Sequence, residues 1–331
     1  MTTTRTTPHS TTRSTLAALA RRQGGVVLRR QAQEAGLTRD QVRALVQHGR
    51  WQALHQGVYL TCGSDPAGPP PLLARLWAAH LRCGPSSVIG LGSAARLHRL
   101  AGLPRELPYV DVLLPRGRHP RPDLRLRLHI AALVPGDVVR LRGLPVTTPA
   151  RTLADLLLRI PEDQALSLLD SALHQGVLPD LREVDRAVRY RQGADRARRL
   201  LPLADGRAAS ALESVSRLDC VRGGVPPDEL QYRLRDARGR PLGRADLCWH
   251  RGLRHPLLGD ADPRGRGRGL WLPPGDYTRL RFTWADAQEP GRVAALVRAA
   301  LDDLRAAPPR AGRSGVGSGP GSGRGLRASP R

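Results

Sequence analysis

The residues best suited to chemistry in this 331-residue chain are bases and amides gathered on one short segment. Thr38 and Gln41 stand in the capping-box relation, so a helix is predicted to start at Arg39. Val42, Leu45 and Val46 form its buried stripe, and Gly49 stops it. Arg39, Arg43 and Gln47 fall off that stripe and, with Thr38 at the cap, form a set suited to phosphates and base edges in a duplex groove. A predicted hairpin over 51–54 and 58–61, turning at Gln56-Gly57, adds Arg50 and His55 beside backbone phosphate. This chemistry is non-covalent, and it requires a scaffold. Leu16, Leu19 and Ala20 at helical spacing predict a first helix ended by Gly24 and Gly25, and 29–35 a second closed by Gly36. Together they read as a winged helix-turn-helix whose third helix enters the major groove of double-stranded DNA. Small helical units of this type also act as protein-interaction modules with a merely solvated charged face, and that reading stays open here.

Covalent chemistry has little to stand on. Ser93, Ser210 and Ser214 lack a GxSxG elbow, and no glycine-rich loop ends in GK[ST]. Cys62, Cys83, Cys220 and Cys248 are too far apart for a CxxC clamp and have no zinc-like histidine spacing, so they read as reduced structural thiols. His98 and His174 lie within helical patterns and read as structural. No small-molecule cofactor is indicated.

Charge points the same way as the helix. The chain carries 53 basic and 29 acidic residues, a net +24, a field that attracts phosphate backbones. It contains no Lys, no Asn, one Phe and three Ile, so a GC-rich coding bias accounts for every base being Arg but not for the shortage of acids. With 40% hydrophobic and 25% charged residues it reads as a globular chain of two or three domains. No apolar run approaches the roughly 18 residues of a membrane span, and without a signal-type apolar segment the expected location is the cytoplasm.

Composition shifts suggest the partition: a Thr/Arg-rich disordered arm over 1–13, the winged helix over 14–62, a mixed α/β domain over 71–204, an Ala/Gly-rich hinge near 204–209, a third unit over 208–304, and a disordered Gly/Ser/Arg tail over 305–331. In the middle, Leu72, Leu76, Ala79 and Cys83 stripe a helix, while 111–114 and the Leu/Arg alternation of 124–128 predict strands. Thr148 before Pro149 is an N-cap with proline at N1, launching a helix that buries Leu153, Leu156 and Leu157, and two helices follow over 161–175 and 181–191. The third unit predicts a helix containing Glu213, strands over 231–234, 243–249 and 280–284, and a helix over 291–304, the order of an α/β sandwich.

The segment 24–60, containing QAQEAGLTRDQVRALVQHGRWQALHQGVYL, followed by GLPVTTPARTLADLL at 143–157, resembles the AbiEi-type antitoxins of bacterial type IV toxin–antitoxin systems over about residues 15–304. The resemblance implies a winged helix that binds operator DNA and represses transcription, and an antitoxin region that counteracts a nucleotidyltransferase-like toxin. It also implies, for large members, a C-terminal domain similar to very-short-patch-repair endonucleases of the PD-(D/E)xK type. In such nucleases acids on a helix and two strands hold Mg²⁺. Glu213 matches the helix acid, Asp246 in GRADLCW the strand acid that would ligate the metal, and LRFTWAD at 280–286 the closing strand. Where relatives carry an apolar strand ending in Glu-x-Asp-Gly, this chain has HRGLRHPLLGDADPRGRGRGL, with Asp260 and Asp262 among Gly, Pro and Arg. The expectation is that 251–274 forms no strand and that Asp246 is a vestige. The reading is therefore a mixed α/β DNA-binding regulator and antitoxin, with a degenerate restriction-endonuclease-like remnant at its C-terminus and no metal or other cofactor. The alternatives are a Mg²⁺-dependent DNA endonuclease, or an interaction module with no nucleic-acid role.

Overall fold

The computed structural model describes residues 8–61, 68–104, 108–118, 120–121, 123–236, 238–263 and 277–306. The tail expected to be disordered lies, but for 305–306, outside them. The first unit comprises helix α1 (Pro8–Arg22), strand β1 (Val26–Leu28), helices α2 (Arg29–Glu34) and α3 (Arg39–Gln47), and strands β2 (Gln52–His55) and β3 (Val58–Leu60). Its antiparallel sheet runs β1-β3-β2, and Leu16, Ala20, Val27, Ala32, Val42 and Tyr59 fill the core beneath the helices. The three-residue β1 is too short to show a period of two and exists through its pairing with β3. Helix α1 opens inside the arm expected to be disordered, because Pro8 suits a first helical turn, where its missing N–H has no partner to lose.

The middle unit holds α4 (Leu72–Cys83), β4 (Val88–Ile89), α5 (Leu91–Leu97), β5 (Val110–Leu114), β6 (Leu126–Ile130), β7 (Val138–Leu141), β8 (Leu144–Thr147), α6 (Pro149–Leu157), α7 (Glu162–His174), α8 (Arg182–Val188) and α9 (Ala194–Leu200). Its five-stranded mixed sheet runs β6-β5-β4-β8-β7. The Leu/Arg alternation begins to form a strand only at Leu126. Leu124 and Arg125 belong to the preceding turn, closed by the Leu126 N–H on the Asp123 carbonyl at 2.9 Å and by the Arg125 N–H on the Asp123 carboxylate, also at 2.9 Å. Thr148 caps α6 as expected, its hydroxyl accepting the Arg151 N–H. Wing and middle unit share one apolar core: Val26, Leu54, Val58 and Leu60 pack with Leu76, Trp77, Ile89, Val112 and Leu144. Gly24, at φ +63°, allows the approach, since a Cβ there would lie 2.9 Å from the Trp77 ring.

The last unit comprises α10 (Ala211–Arg222), β9 (Glu229–Arg235), β10 (Pro241–Trp249), β11 (Leu257–Ala261), β12 (Thr278–Phe282), α11 (Trp284–Gln288) and α12 (Arg292–Ala306). Its sheet runs β12-β11-β10-β9, with β11 parallel to β12 and the other pairs antiparallel. Two sequence expectations are corrected here. The segment 251–274 was expected to lack a strand, yet β11 is an inner strand of this sheet with Leu257, Leu258, Gly259 and Asp260 all buried. Pro256 and Pro263 flank it instead of interrupting its ladder, and Gly259 is the residue that lets it sit under Phe282, where a Cβ would meet the ring at 2.7 Å. The closing strand ends at Phe282, because Thr283 caps α11 through the Asp286 N–H and so turns Trp284 into a helical residue.

The Ala/Gly-rich stretch 204–209 is pinned and does not act as a hinge. The Asp205 N–H donates to Asp170 at 2.7 Å, the Gly206 carbonyl meets the His174 ring at 2.9 Å, and Ala208 is buried. Beside it Arg217 of α10 and Asp170 of α7 form an ion pair at 2.7 Å with both side chains out of solvent. The last unit is thereby fastened to the middle one.

Candidate nucleic-acid interface and a buried carboxylate row

The outer face of α3 is built as its sequence pattern requires. The Gln41 N–H donates to the Thr38 hydroxyl at 3.2 Å while the Thr38 N–H donates to the Gln41 side chain at 2.9 Å, which closes the capping box. Val42 points inward, and Thr38, Arg39, Arg43 and Gln47 remain exposed. Among the described residues neither Arg39 nor Arg43 forms an ion pair, so both guanidiniums are available to phosphate. They line a groove of about 450 Å³ with Gln47, Asp40, Arg29 and Tyr59. Sequence analysis missed Arg29, which opens α2 and donates through Nε to the Tyr59 hydroxyl at 3.3 Å. The strand that places it, β1, gave no periodic signal. Arg50 is exposed ahead of the wing, as expected.

His55 is a correction. It was expected on the DNA-facing side of the wing, but it is 8% exposed and its Nδ1 lies 2.7 Å from the Asp123 carboxylate of the middle unit. A register shift between Ala53 and His55 interrupts the alternation of β2, so that Leu54 and His55 are both buried. Burial opposes ionisation of Asp123, but the Arg125 N–H and the His55 ring outweigh it and hold that carboxyl below its usual range. Arg125 also donates to the Leu54 carbonyl of β2. His55 and Leu54 therefore pin the wing to the middle unit.

The acids singled out in the last unit are brought together more closely than expected. The ladder places Gln231 of β9, Asp246 of β10 and Asp260 of β11 abreast, one step beyond the pairs Tyr232/Ala245 and Leu247/Gly259. Glu213 reaches the row from α10. Gln231 donates from Nε2 to Glu213 at 2.7 Å and to Asp246 at 3.4 Å, and Asp246 also accepts the Ala261 N–H at 2.9 Å. Burial pushes the Asp246 carboxyl up to about 6, with the Glu213 and Asp260 carboxylates adding to the shift. Gln231 holds a φ of +56°, an uncommon backbone for a residue with a side chain, and its Oε1 is buried with no hydrogen-bond partner among the described residues. Neither Gln231 nor Arg279 carried a sequence signal, since each matters only through partners on other strands.

These residues do not fit a divalent cation as they stand. Arg279 of β12 is ion-paired with Asp260, and the Ala209 N–H at 2.9 Å together with Gln231 occupies one Glu213 oxygen. Among the described residues no group of three or more His, Cys, Asp and Glu side chains converges on a metal position. Asp262 lies past the end of β11, half-buried, with its N–H on the Phe282 carbonyl. The thiols are not nucleophiles either: burial pushes Cys83 up to about 11 and Cys220 and Cys248 up to about 12. Cys62 lies outside the described residues. His98 and His174 serve backbone carbonyls of Thr147 and Gly206. No described helix is long and apolar enough to cross a membrane.

Residues 14–61 match the family model described as "Transcriptional regulator, AbiEi antitoxin", and residues 88–203 match the model "AbiEi antitoxin C-terminal domain". Two proteins of Mycobacterium tuberculosis, the uncharacterized proteins MT2308 (strain CDC 1551 / Oshkosh) and Rv2248 (strain ATCC 25618 / H37Rv), are each 33% identical over 277 residues, covering 83% of this chain and 94% of the relative. Among solved structures, that of the RV2827C protein from Mycobacterium tuberculosis is 21% identical with a TM-score of 0.38, covering 58% of this chain and 76% of that one. With both antitoxin models matched in chain order on the winged helix and the mixed sheet described above, the chain belongs to the AbiEi antitoxin family, and it is a DNA-binding antitoxin and transcriptional regulator of a toxin–antitoxin system.

Proposed function

We propose that this regulator, acting in the cytoplasm, binds duplex DNA through α3, with Arg39, Arg43 and Gln47 in the major groove, Thr38 holding the helix start, and Arg29 and Arg50 on flanking phosphates. The observation that carries the reading is the unpaired pair Arg39 and Arg43 on the exposed face of a doubly capped helix. The middle unit is proposed to engage a nucleotidyltransferase-like toxin. Its sheet and the helix launched at Thr148 offer packing surfaces.

The test is a salt titration of the full chain on the duplex upstream of its own gene. Arg39→Ala/Arg43→Ala should weaken binding roughly 100-fold, the product of two interactions worth about 1–3 kcal/mol each. The log–log salt slope should become shallower by about 0.9 for each phosphate that the variant no longer neutralises. Equal affinity and slope in parent and variant would overturn the assignment of α3.

The last unit is proposed to retain a nuclease-like layout without cutting DNA. One observation favours the opposite reading: β11 exists, and it sets Asp260 beside Asp246. Incubating the parent and Asp246→Ala with supercoiled DNA in Mg²⁺ and in Mn²⁺ decides between them. Cleavage by the parent alone would establish the nuclease reading, and intact DNA in every lane supports the regulator.

A further inference from the structure

The Leu/Arg alternation of the middle unit serves neither the DNA face nor the carboxylate row. It forms β6, which pairs with β5 on one side and is the edge of the five-stranded sheet on the other. The parallel register sets Val110 beside Leu126 and Leu114 beside Ile130. It is held by the Val110 N–H on the Arg125 carbonyl at 2.8 Å and the Ala131 N–H on the Leu114 carbonyl at 3.0 Å. In a parallel ladder alternate residues address the neighbouring strand, so Arg125, Arg127, His129 and Ala131 turn their backbone groups to β5. The carbonyls of Leu126, Leu128 and Ile130 and the N–H groups of Leu128 and Ile130 therefore point outward, and no described residue pairs with them. Leu126 and Leu128 pack on the core shared with the wing, while Ile130 on the same face is 51% exposed. Arg127 projects from the opposite face, its guanidinium 3.7 Å from the centre of the Tyr109 ring. Residues of both faces, Leu126 and Leu128 with Tyr109 and Arg127, line a groove of about 460 Å³ that continues past Asp123 and the fully exposed Leu124. Between 115 and 131 the chain carries five arginines and one acid, Asp123, so the edge is strongly basic. Asp123 is paired with His55 at 2.7 Å and Asp111, beside Arg127 in the ladder, with His129 at 3.0 Å, and neither Arg125 nor Arg127 forms an ion pair among the described residues.

We propose that this edge takes an extended segment of a partner protein as a further strand of the sheet, one in which apolar and acidic side chains alternate. Its backbone closes the outward groups of Leu126, Leu128 and Ile130. Its apolar side chains continue the face of those three residues, and its carboxylates meet Arg127 and the exposed Arg121 and Arg125. Charge selects this occupant over two others. A second copy of the chain would bring the same arginines to the same edge, and like charges across a ladder are destabilising. The chain's own tail, 306–331, carries arginines and no acid. The inference does not depend on the toxin reading, because the segment is specified by its chemistry whichever protein supplies it.

The probe is the end-blocked peptide Val-Glu-Val-Glu-Val-Glu-Val, titrated into the full chain at physiological salt and followed by calorimetry and backbone hydrogen exchange. The expected result is one saturable site per chain, with exchange slowed across 126–130. The counterpart with Lys for Glu should bind about tenfold more weakly or worse, as loss of charge-assisted contacts predicts. Of two counterparts N-methylated at the valines or at the glutamates, the one whose N–H groups face the edge should bind about tenfold more weakly with its charge intact. Arg127→Glu should weaken the acidic peptide about tenfold and bind the Lys peptide more tightly than the parent does. Ile130→Pro removes one outward N–H without touching the ladder to β5, and should weaken the acidic peptide about fivefold. Circular dichroism establishes that each variant is folded, and the peptide controls on the parent decide the outcome if a variant unfolds. The proposal is overturned if no saturable site appears, if exchange slows elsewhere, if the Lys peptide or both N-methylated peptides bind as tightly as the probe, or if folded Arg127→Glu matches the parent. A parent that is dimeric by light scattering and monomeric as Ile130→Pro would assign the edge to a second copy and overturn it as well.

Discussion

The arginines of the winged helix and the charged side chains of the last unit are drawn from the same composition but face opposite environments. Arg39 and Arg43 project from an exposed helix face and pair with nothing among the described residues. Arg217 is buried against Asp170, the half-buried Arg279 pairs with the buried Asp260, and Asp246 lies between two further carboxylates. An exposed, unpaired guanidinium costs the fold little and remains available to a phosphate. A buried one serves the fold, and removing its partner leaves an uncompensated charge out of water. In a chain with a net charge of +24, pairing therefore separates the arginines that can recognise DNA from those that hold the chain together.

The largest expected effect is on the side of the fold. Arg217→Ala should destabilise the protein by about 3–5 kcal/mol, because Asp170 is left buried without its partner while the Leu203 carbonyl is left without its donor. Burial already raises the Asp170 carboxyl against the pull of Arg217, so the variant should recover part of its stability at acidic pH, where Asp170 is protonated. Denaturant unfolding at pH 7 and pH 5 measures both. A loss below 1 kcal/mol would show that buried pairing is not what fastens α10 to α7.

The carboxylate row sharpens the comparison through pH. Asp246 has a folded-state value of about 6 against an ordinary value of 3.8, so its ionisation is harder in the fold than in the unfolded chain. Its unfavourable contribution is absent below the unfolded value, grows as pH rises from about 4 to about 6, and is complete above that, reaching about 3 kcal/mol at most. Asp246→Asn should therefore stabilise the protein at pH 7, leave it nearly unchanged at pH 4, and flatten the stability profile between. Added Mg²⁺ should not raise the melting temperature of the parent. A Mg²⁺-dependent rise that Asp246→Asn abolishes would revive the nuclease reading.

The smallest effect compares two helix caps of the same kind. Thr38→Ala and Thr148→Ala should each cost about 1 kcal/mol of stability through loss of the hydroxyl that accepts the Gln41 or Arg151 N–H. Only Thr38→Ala should also weaken duplex binding, because only its helix carries the exposed arginines. A Thr148→Ala protein of unchanged stability that fails to neutralise its toxin would assign Thr148 a direct role at the partner surface.

The winged helix was legible because its signals are local. Capping boxes, glycine stops and a 3.6-residue apolar stripe each act within a few residues, and α2, α3, β2 and β3 form close to where those signals point. What this region concealed was β1, too short to carry a period, and the burial of His55, which depends on Asp123 some 68 residues away. The helix capped by Thr148 was legible for the same local reason.

The last unit divides along the same line. Helices α10 and α12 and the strand carrying Asp246 form close to where the sequence reading puts them, and Glu213 lies in α10 as expected. Strand β11 does not, because PLLGDADP contains the proline, glycine and acids that ordinarily argue against a strand. Its pairing with β10 and β12 on its two edges, and the contact of Gly259 with Phe282, supply the hydrogen bonds and packing that its own propensities withhold. The sequence alone thus determined which helix would carry the exposed Arg39, Arg43 and Gln47, since capping and amphipathicity act over one turn. Only the tertiary structure decided that His55 pins the wing, that residues 204–209 are fastened, and that Gln231, Asp246 and Asp260 stand abreast, since each depends on partners brought together by folding.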